Sequence, residues 1–313
     1  MGFIEKHITE GTFYQQLIKF LKGIYFKKAD ASLYEILVIF FSKLQDNQTK
    51  QRAYAVAFNF TLAIFPAIIF LFTLIAYIPN LDNAEVMRFI SSVLPNSFYE
   101  QAEGTIYDII SKERGGLLSF GFITALYLAT SGMSSLIDTF DIIYHAPKKR
   151  TFIMEKLVSM LLTVYLAMVL VIAVFLLIAG NIILKELVER GFIAQNFIYY
   201  SIESFRYFIV TLMFFSGISM IYYYGPRIPV RWKFFSPGTG IATFLSLLVS
   251  WAFSYYIDHF GTYNKLYGSI GAMIGLMFWL FALSLIILIG FEVNATLDLT
   301  KEKKSQILFE KKN

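Results

Sequence analysis

No cysteine occurs in this 313-residue chain, which excludes disulfides, thiolate metal sites and a cysteine nucleophile. Histidine is nearly missing too: His7, His145 and His259 stand far apart and form none of the short metal-binding spacings. Charge is scarce, with Asp, Glu, Lys and Arg making up 16% of residues against roughly 25% in an ordinary soluble domain. A glycine-rich, lysine-containing nucleotide loop is absent, which argues against direct use of ATP. A cleavable signal peptide is not expected either, because Lys6, Lys19, Lys22, Lys27 and Lys28 interrupt any apolar core near the N-terminus. The sequence thus predicts neither a metal site nor a cofactor.

What the chain has in their place is apolar surface: 57% hydrophobic residues, 18% aromatic, and a mean hydropathy of +0.60. From Ala53 through Leu81 there is no formal charge. A helix needs about 20 apolar residues to cross a hydrocarbon layer of about 30 Å, so this stretch predicts a membrane span. Similar runs recur, giving six expected spans near 54–78, 117–137, 158–183, 206–224, 239–260 and 270–294. An all-α polytopic membrane protein follows.

Six crossings put both termini on one side, and the basic residues say which. Of the 27 Lys and Arg residues, 20 fall in the termini and in the loops on the terminal side, leaving seven for the other. The positive-inside rule therefore predicts cytoplasmic termini. It also accounts for the net charge of +5 without a nucleic-acid partner.

Three regions are expected: residues 1–52 as cytoplasmic or interfacial amphipathic helices, 53–297 as the six-span domain, and 298–313 as a basic cytoplasmic tail. Phe13, Leu17, Phe20, Leu21 and Ile24 share one helical face, and Leu33, Ile36, Leu37, Phe40 and Leu44 share another, as in helices lying on a leaflet. Between the first two spans, about residues 79–116, Val86, Ile90, Val93 and Leu94, then Ala102, Ile106 and Ile109, repeat helically on either side of Pro95. That pattern predicts an extracytoplasmic helical hairpin.

Polar groups gather at one depth. With cytoplasmic termini, Arg52, Asn59, Asp138, Asp141, Arg150, Arg227, Arg231, Glu292 and Asn294 all approach the inner leaflet, and the acids are expected to pair with the arginines. Two readings stand: charges at span ends that pair for folding or topology, and a head-group or solute site open to the cytoplasm. Pro66 removes a backbone hydrogen bond inside the first span and predicts a kink or hinge. Asp258 and Lys265 are the outer-side candidates. Gly268, Gly271 and Gly275 form a stripe that admits a close neighbouring helix, and tyrosines near the span ends read as an interfacial belt.

Several tracts together resemble the YihY/BrkB family of bacterial membrane proteins, once labelled ribonuclease BN. The first runs from Arg52, Ala53 and Tyr54 through Phe58, Leu62, Phe65 and Pro66. A second runs from Ser131, Gly132 and Met133 through Leu136, Asp141, Tyr144 and Arg150. The third spans Tyr224, Pro226, Trp232, Pro237, Gly238, Trp251, Tyr255, Tyr263, Tyr267, Gly268, Ser269, Trp279 and Gly290 through Ala295. Asp141 stands where the family commonly has asparagine, and Phe291 where a small residue is usual. The resemblance implies six spans with cytoplasmic termini in the bacterial cytoplasmic membrane, and a part in envelope integrity and lipid handling.

The expected function is therefore movement or scrambling of an anionic lipid or other amphiphile, with membrane lipids as partners. A non-transporting envelope-assembly scaffold, with a protein partner or a second copy of the chain, is the alternative. An enzyme acting on a lipid phosphate is weakest, since Asp138, Asp141 and Glu292 follow no recognised ligand spacing. A ribonuclease is not expected, for want of a histidine and aspartate metal constellation and of a basic groove for RNA.

Overall fold

The computed structural model describes residues 12–26, 31–77, 82–93, 96–144, 150–191, 197–227, 234–259 and 269–310. The fold is all-α: among the described residues the sole β structure is a short antiparallel pair, β1 Tyr25–Phe26 with β2 Ala31–Ser32. This pair joins α1 Thr12–Gly23 to α2 Leu33–Leu44. Among the described residues six helices are long and apolar enough to cross a membrane. They are α3 Asn47–Ile75, α6 Gly115–Ile143, α7 Phe152–Glu189, α8 Phe197–Tyr224, α9 Pro237–His259 and α10 Ser269–Glu310, with α4 Asn83–Val93 and α5 Asn96–Ile110 between the first two.

Caps explain several of the boundaries. Ser32 and Glu35 form a reciprocal capping box at the start of α2, each side chain accepting from the other residue's backbone N–H. Asp46 begins α3 by accepting from the Gln48 N–H at 3.2 Å and the Thr49 hydroxyl at 3.0 Å. Those contacts, the Gln48 N–H first, hold its carboxyl below the usual carboxylate range. Thr151 caps α7, which therefore starts earlier than the apolar run and takes in Glu155 and Lys156. At 38 residues α7 reaches about 57 Å, well beyond a bilayer core. α10 likewise continues past the apolar span into the expected tail, as one helix of 42 residues.

The α4–α5 hairpin follows its sequence pattern in part, with Met87 and Ile110 buried and Ile109 only half-buried. Val86, Met87 and Ile90 close on Ile106 and Ile110, and this small core rests on Phe72 and Ile75 at the end of α3. α2 differs from expectation. Ile36 and Phe40 are buried in the main core against α10, so one face of α2 docks on protein while Val38 and Phe41 stay exposed. An apolar stripe serves a bundle as well as a leaflet, which is why the sequence pointed to the wrong neighbour.

Consecutive spans pack side by side, α3 with α6, α7 with α8 and α9 with α10, and α3 also packs along α10 and α6 along α7. α3 and α6 meet closely where Gly121 faces the Phe70 backbone and Gly132 the Phe60 ring. α7 and α8 are joined by Tyr165 and Ser216 at 3.0 Å, by Leu166 over Gly217, and by Arg206 over Gly180. α9 and α10 join through Gly238 against Gly290, Trp279 donating to Ser250, and Gly275 against Tyr256.

Contacts between pairs concentrate at one end. There Phe140 of α6 stacks on Phe291 of α10 at 3.9 Å, and Tyr222 of α8 meets both edge-on while donating to the Ile287 carbonyl at 2.6 Å. Tyr54 of α3 stacks on Phe281 of α10 nearby. Going away from this end, the same helical stripes lose their cover. Ile137, Tyr222 and Leu288 are buried, whereas Ile123, Phe208 and Ile274, each two heptads back on the same helix, are 64%, 56% and 60% exposed. Two heptads return to nearly the same face about 21 Å further along. These stripes are thus buried at one end and exposed at the other.

Candidate functional site

The plugged end carries the polar cluster, and the structure divides it into three groups. At the first, the Arg227 guanidinium lies 2.7 Å from Asp138, 3.0 Å from Asp141 and 2.6 Å from Glu155. Asp141 also accepts the Arg227 backbone N–H at 2.7 Å, fixing the turn that follows α8. One guanidinium thus faces three carboxylates, and Lys156, which donates to Ser134 at 3.0 Å, adds positive charge beside them. Arg150 donates to the carbonyls of Gly225 and Tyr224 at 2.9 and 3.2 Å, tying the start of α7 to the end of α8.

At the second group Glu292, 2% exposed, accepts the Thr49 hydroxyl at 2.8 Å and lies 3.3 Å from Lys43 Nζ. Among the described residues the ion-pair partner of Glu292 is thus a lysine from α2. At the third, Asn294 accepts the Gly238 N–H at 2.8 Å and donates to Ser236 Oγ at 2.8 Å, satisfying the first turn of α9. A Cβ at Gly238 would fall 2.0 Å from the Gly290 carbonyl oxygen, so only glycine allows this backbone approach. Tyr144 donates to Asp298 and binds the far part of α10 to α6.

Residues 40–313 match the family described as Virulence factor BrkB. The chain belongs to the BrkB family. It is 31% identical over 265 residues to a putative ribonuclease-like protein, YfkH, of Bacillus subtilis, covering 84% of this chain and 94% of that one. A UPF0761 membrane protein of Tolumonas auensis is 25% identical, with 75% and 76% covered. Another from Haemophilus influenzae, NTHI0384, is 23% identical, with 88% and 99% covered. No solved structure matches. Family and structure together make this a polytopic membrane protein.

In this BrkB-family bundle the expected site residues that are described do not form one cluster. Asp138, Asp141 and Arg227 come together; Glu292 and Asn294 occupy neighbouring groups of their own. Arg52 is half-buried and makes no hydrogen bond or ion pair among the described residues. Asn59 turns to its own helix, donating to the Ala55 carbonyl at 3.1 Å. α3 continues as helix through Pro66 to Ile75. Arg231 and Lys265 lie outside the described residues, as does the side chain of Asp258, whose backbone belongs to α9.

Four contributors escaped the sequence reading. Glu155 and Lys43 looked like ordinary flanking charges, and Thr49 and Ser236 carried no signal at all. Arg206, expected at a span edge, sits inside α8 and is 8% exposed. Phe291, the departure from the family's small residue, proves to be the centre of the aromatic plug. Among the described residues no group of three acids or histidines is arranged to hold a metal ion. Asp138, Asp141 and Glu155 are instead turned onto one guanidinium.

Proposed function

We propose that this chain moves or scrambles an anionic lipid or other amphiphile between the leaflets of the bacterial cytoplasmic membrane, for envelope maintenance. The supporting observation is the exposed apolar surface on the half of the spans away from the plug. Ile123, Phe208 and Ile274 line stripes that face inward at the plugged end yet stay uncovered away from it. Acyl chains fit such exposed apolar surfaces. The positive-inside charge asymmetry supports a plug on the cytoplasmic side, with both termini, and the other half toward the outer leaflet.

The chain is read as neither an enzyme nor a ribonuclease. The acids at the plug are engaged by Arg227, and the name of the Bacillus relative is that protein's own. One observation favours the scaffold alternative for the plug itself: a guanidinium already facing three carboxylates is a poor phosphate receptor. The plug is accordingly structural in both readings, and what separates them is the open half.

The test is transfer in liposomes. Purified protein reconstituted with a leaflet-specific fluorescent phosphatidylglycerol is expected to speed equilibration at least tenfold over empty vesicles. Equilibration at the empty-vesicle rate, for phosphatidylglycerol and for other anionic lipids, would leave the scaffold reading in its place.

A further inference from the structure

Arg206 is the one buried cation in the open half of the bundle whose charge the described residues leave largely unanswered. It shares α8 with a single acid, Glu203, whose carboxylate stands 3.9 Å away, beyond hydrogen-bond range, and is itself 30% exposed. Among the described residues neither Nε nor Nη1 has a hydrogen-bond partner. The side chain is 9% exposed and runs toward α7, where Gly180 makes room for it. A Cβ at Gly180 would lie 2.7 Å from Arg206 Cδ and 3.2 Å from Nη1, so the slot exists only because that residue is glycine. The Tyr207 ring, 5.2 Å from the guanidinium carbon, forms one wall.

A desolvated guanidinium with free donors is costly inside a membrane, and arginine presents a planar fork matched to phosphate and carboxylate oxygens. The surroundings are apolar and exposed, with Phe205 at 62% and Phe175 at 65% on the same two helices. We infer that the Arg206–Gly180 slot is an anion site that receives the phosphate of a lipid head group while the acyl chains lie on those exposed aromatic faces. This deepens the reading above by giving the open half its head-group station, and it rests on that reading for the lipid's path. Free phosphate shares the chemistry.

The site is tested by binding, independently of transfer. Native mass spectrometry of the full chain from mild detergent would compare phosphatidylglycerol, phosphatidylcholine and inorganic phosphate as probes, with Arg206→Gln, Arg206→Lys and Gly180→Ala variants. The wild-type chain is expected to retain phosphatidylglycerol at least tenfold better than phosphatidylcholine. Arg206→Gln and Gly180→Ala abolish that preference, and Arg206→Lys keeps part of it. Competition by millimolar inorganic phosphate would identify phosphate itself as the recognised group, and its absence would assign recognition to the whole head group. An unchanged preference in both Arg206→Gln and Gly180→Ala, with the variants folded by thermal unfolding, overturns the site. Binding without transfer in liposomes would keep the site and remove the transport reading.

Discussion

Arg227 shows how a single side chain closes one end of a bundle. Its guanidinium meets acids from α6 and α7 while its own backbone N–H is held by Asp141. Removing one partner of a buried charged group costs about 3–5 kcal/mol, because the remaining charges stay desolvated. Arg227→Gln is therefore expected to lower the thermal midpoint in detergent sharply, and adding Asp141→Asn to recover part of the loss by removing one stranded carboxylate. Equal midpoints for wild type and Arg227→Gln would show that the group does not hold the plug. Asp138, Asp141 and Arg227 were legible from sequence because polar residues ending apolar runs stand out. Glu155 was not, since an acid after the run Lys148, Lys149 and Arg150 looks like ordinary loop charge.

At the scale of elements, backbone approach decides the pairing of α9 with α10. Gly238 lies against the Gly290 carbonyl, and a Cβ at Gly290 would come 2.5 Å from the Tyr222 hydroxyl and 2.8 Å from Ala242. Gly238→Ala has nowhere to place its methyl short of moving a backbone, and overpacking of this kind costs about 1–3 kcal/mol. Its thermal midpoint should fall, whereas Gly116→Ala, with nothing within 4 Å of its Cβ, should leave the midpoint unchanged. Similar midpoints for the two variants would contradict the close approach. The spans themselves were readable because length and hydropathy suffice to mark a bilayer crossing. The docking of α2 was not, for Ile36 and Phe40 make the same stripe whether a leaflet or α10 covers them. Helix ends were also hidden, since a cap such as Thr151 carries helix into charged sequence that hydropathy discards.

At the scale of the whole molecule, the aromatic and polar contacts between spans gather at one end. Aromatic stacking among Phe140, Tyr222 and Phe291, the three polar groups and the docked α2 all lie there, while Ile123, Phe208 and Ile274 mark the uncovered interior stripes of the other half. Lipid movement, in this account, requires those stripes on α6 and α10 to stay accessible in that half. The absence of native cysteine makes a direct measurement straightforward: Ile123→Cys with Ile274→Cys supplies the chain's only thiols, one on α6 and one on α10. The measurement is transfer of fluorescent phosphatidylglycerol in liposomes by this variant, unbridged, bridged with a reducible bis-maleimide, and bridged then reduced. The account predicts transfer at the empty-vesicle rate while bridged and recovery on reduction. Transfer by the bridged protein at the unbridged rate would contradict it.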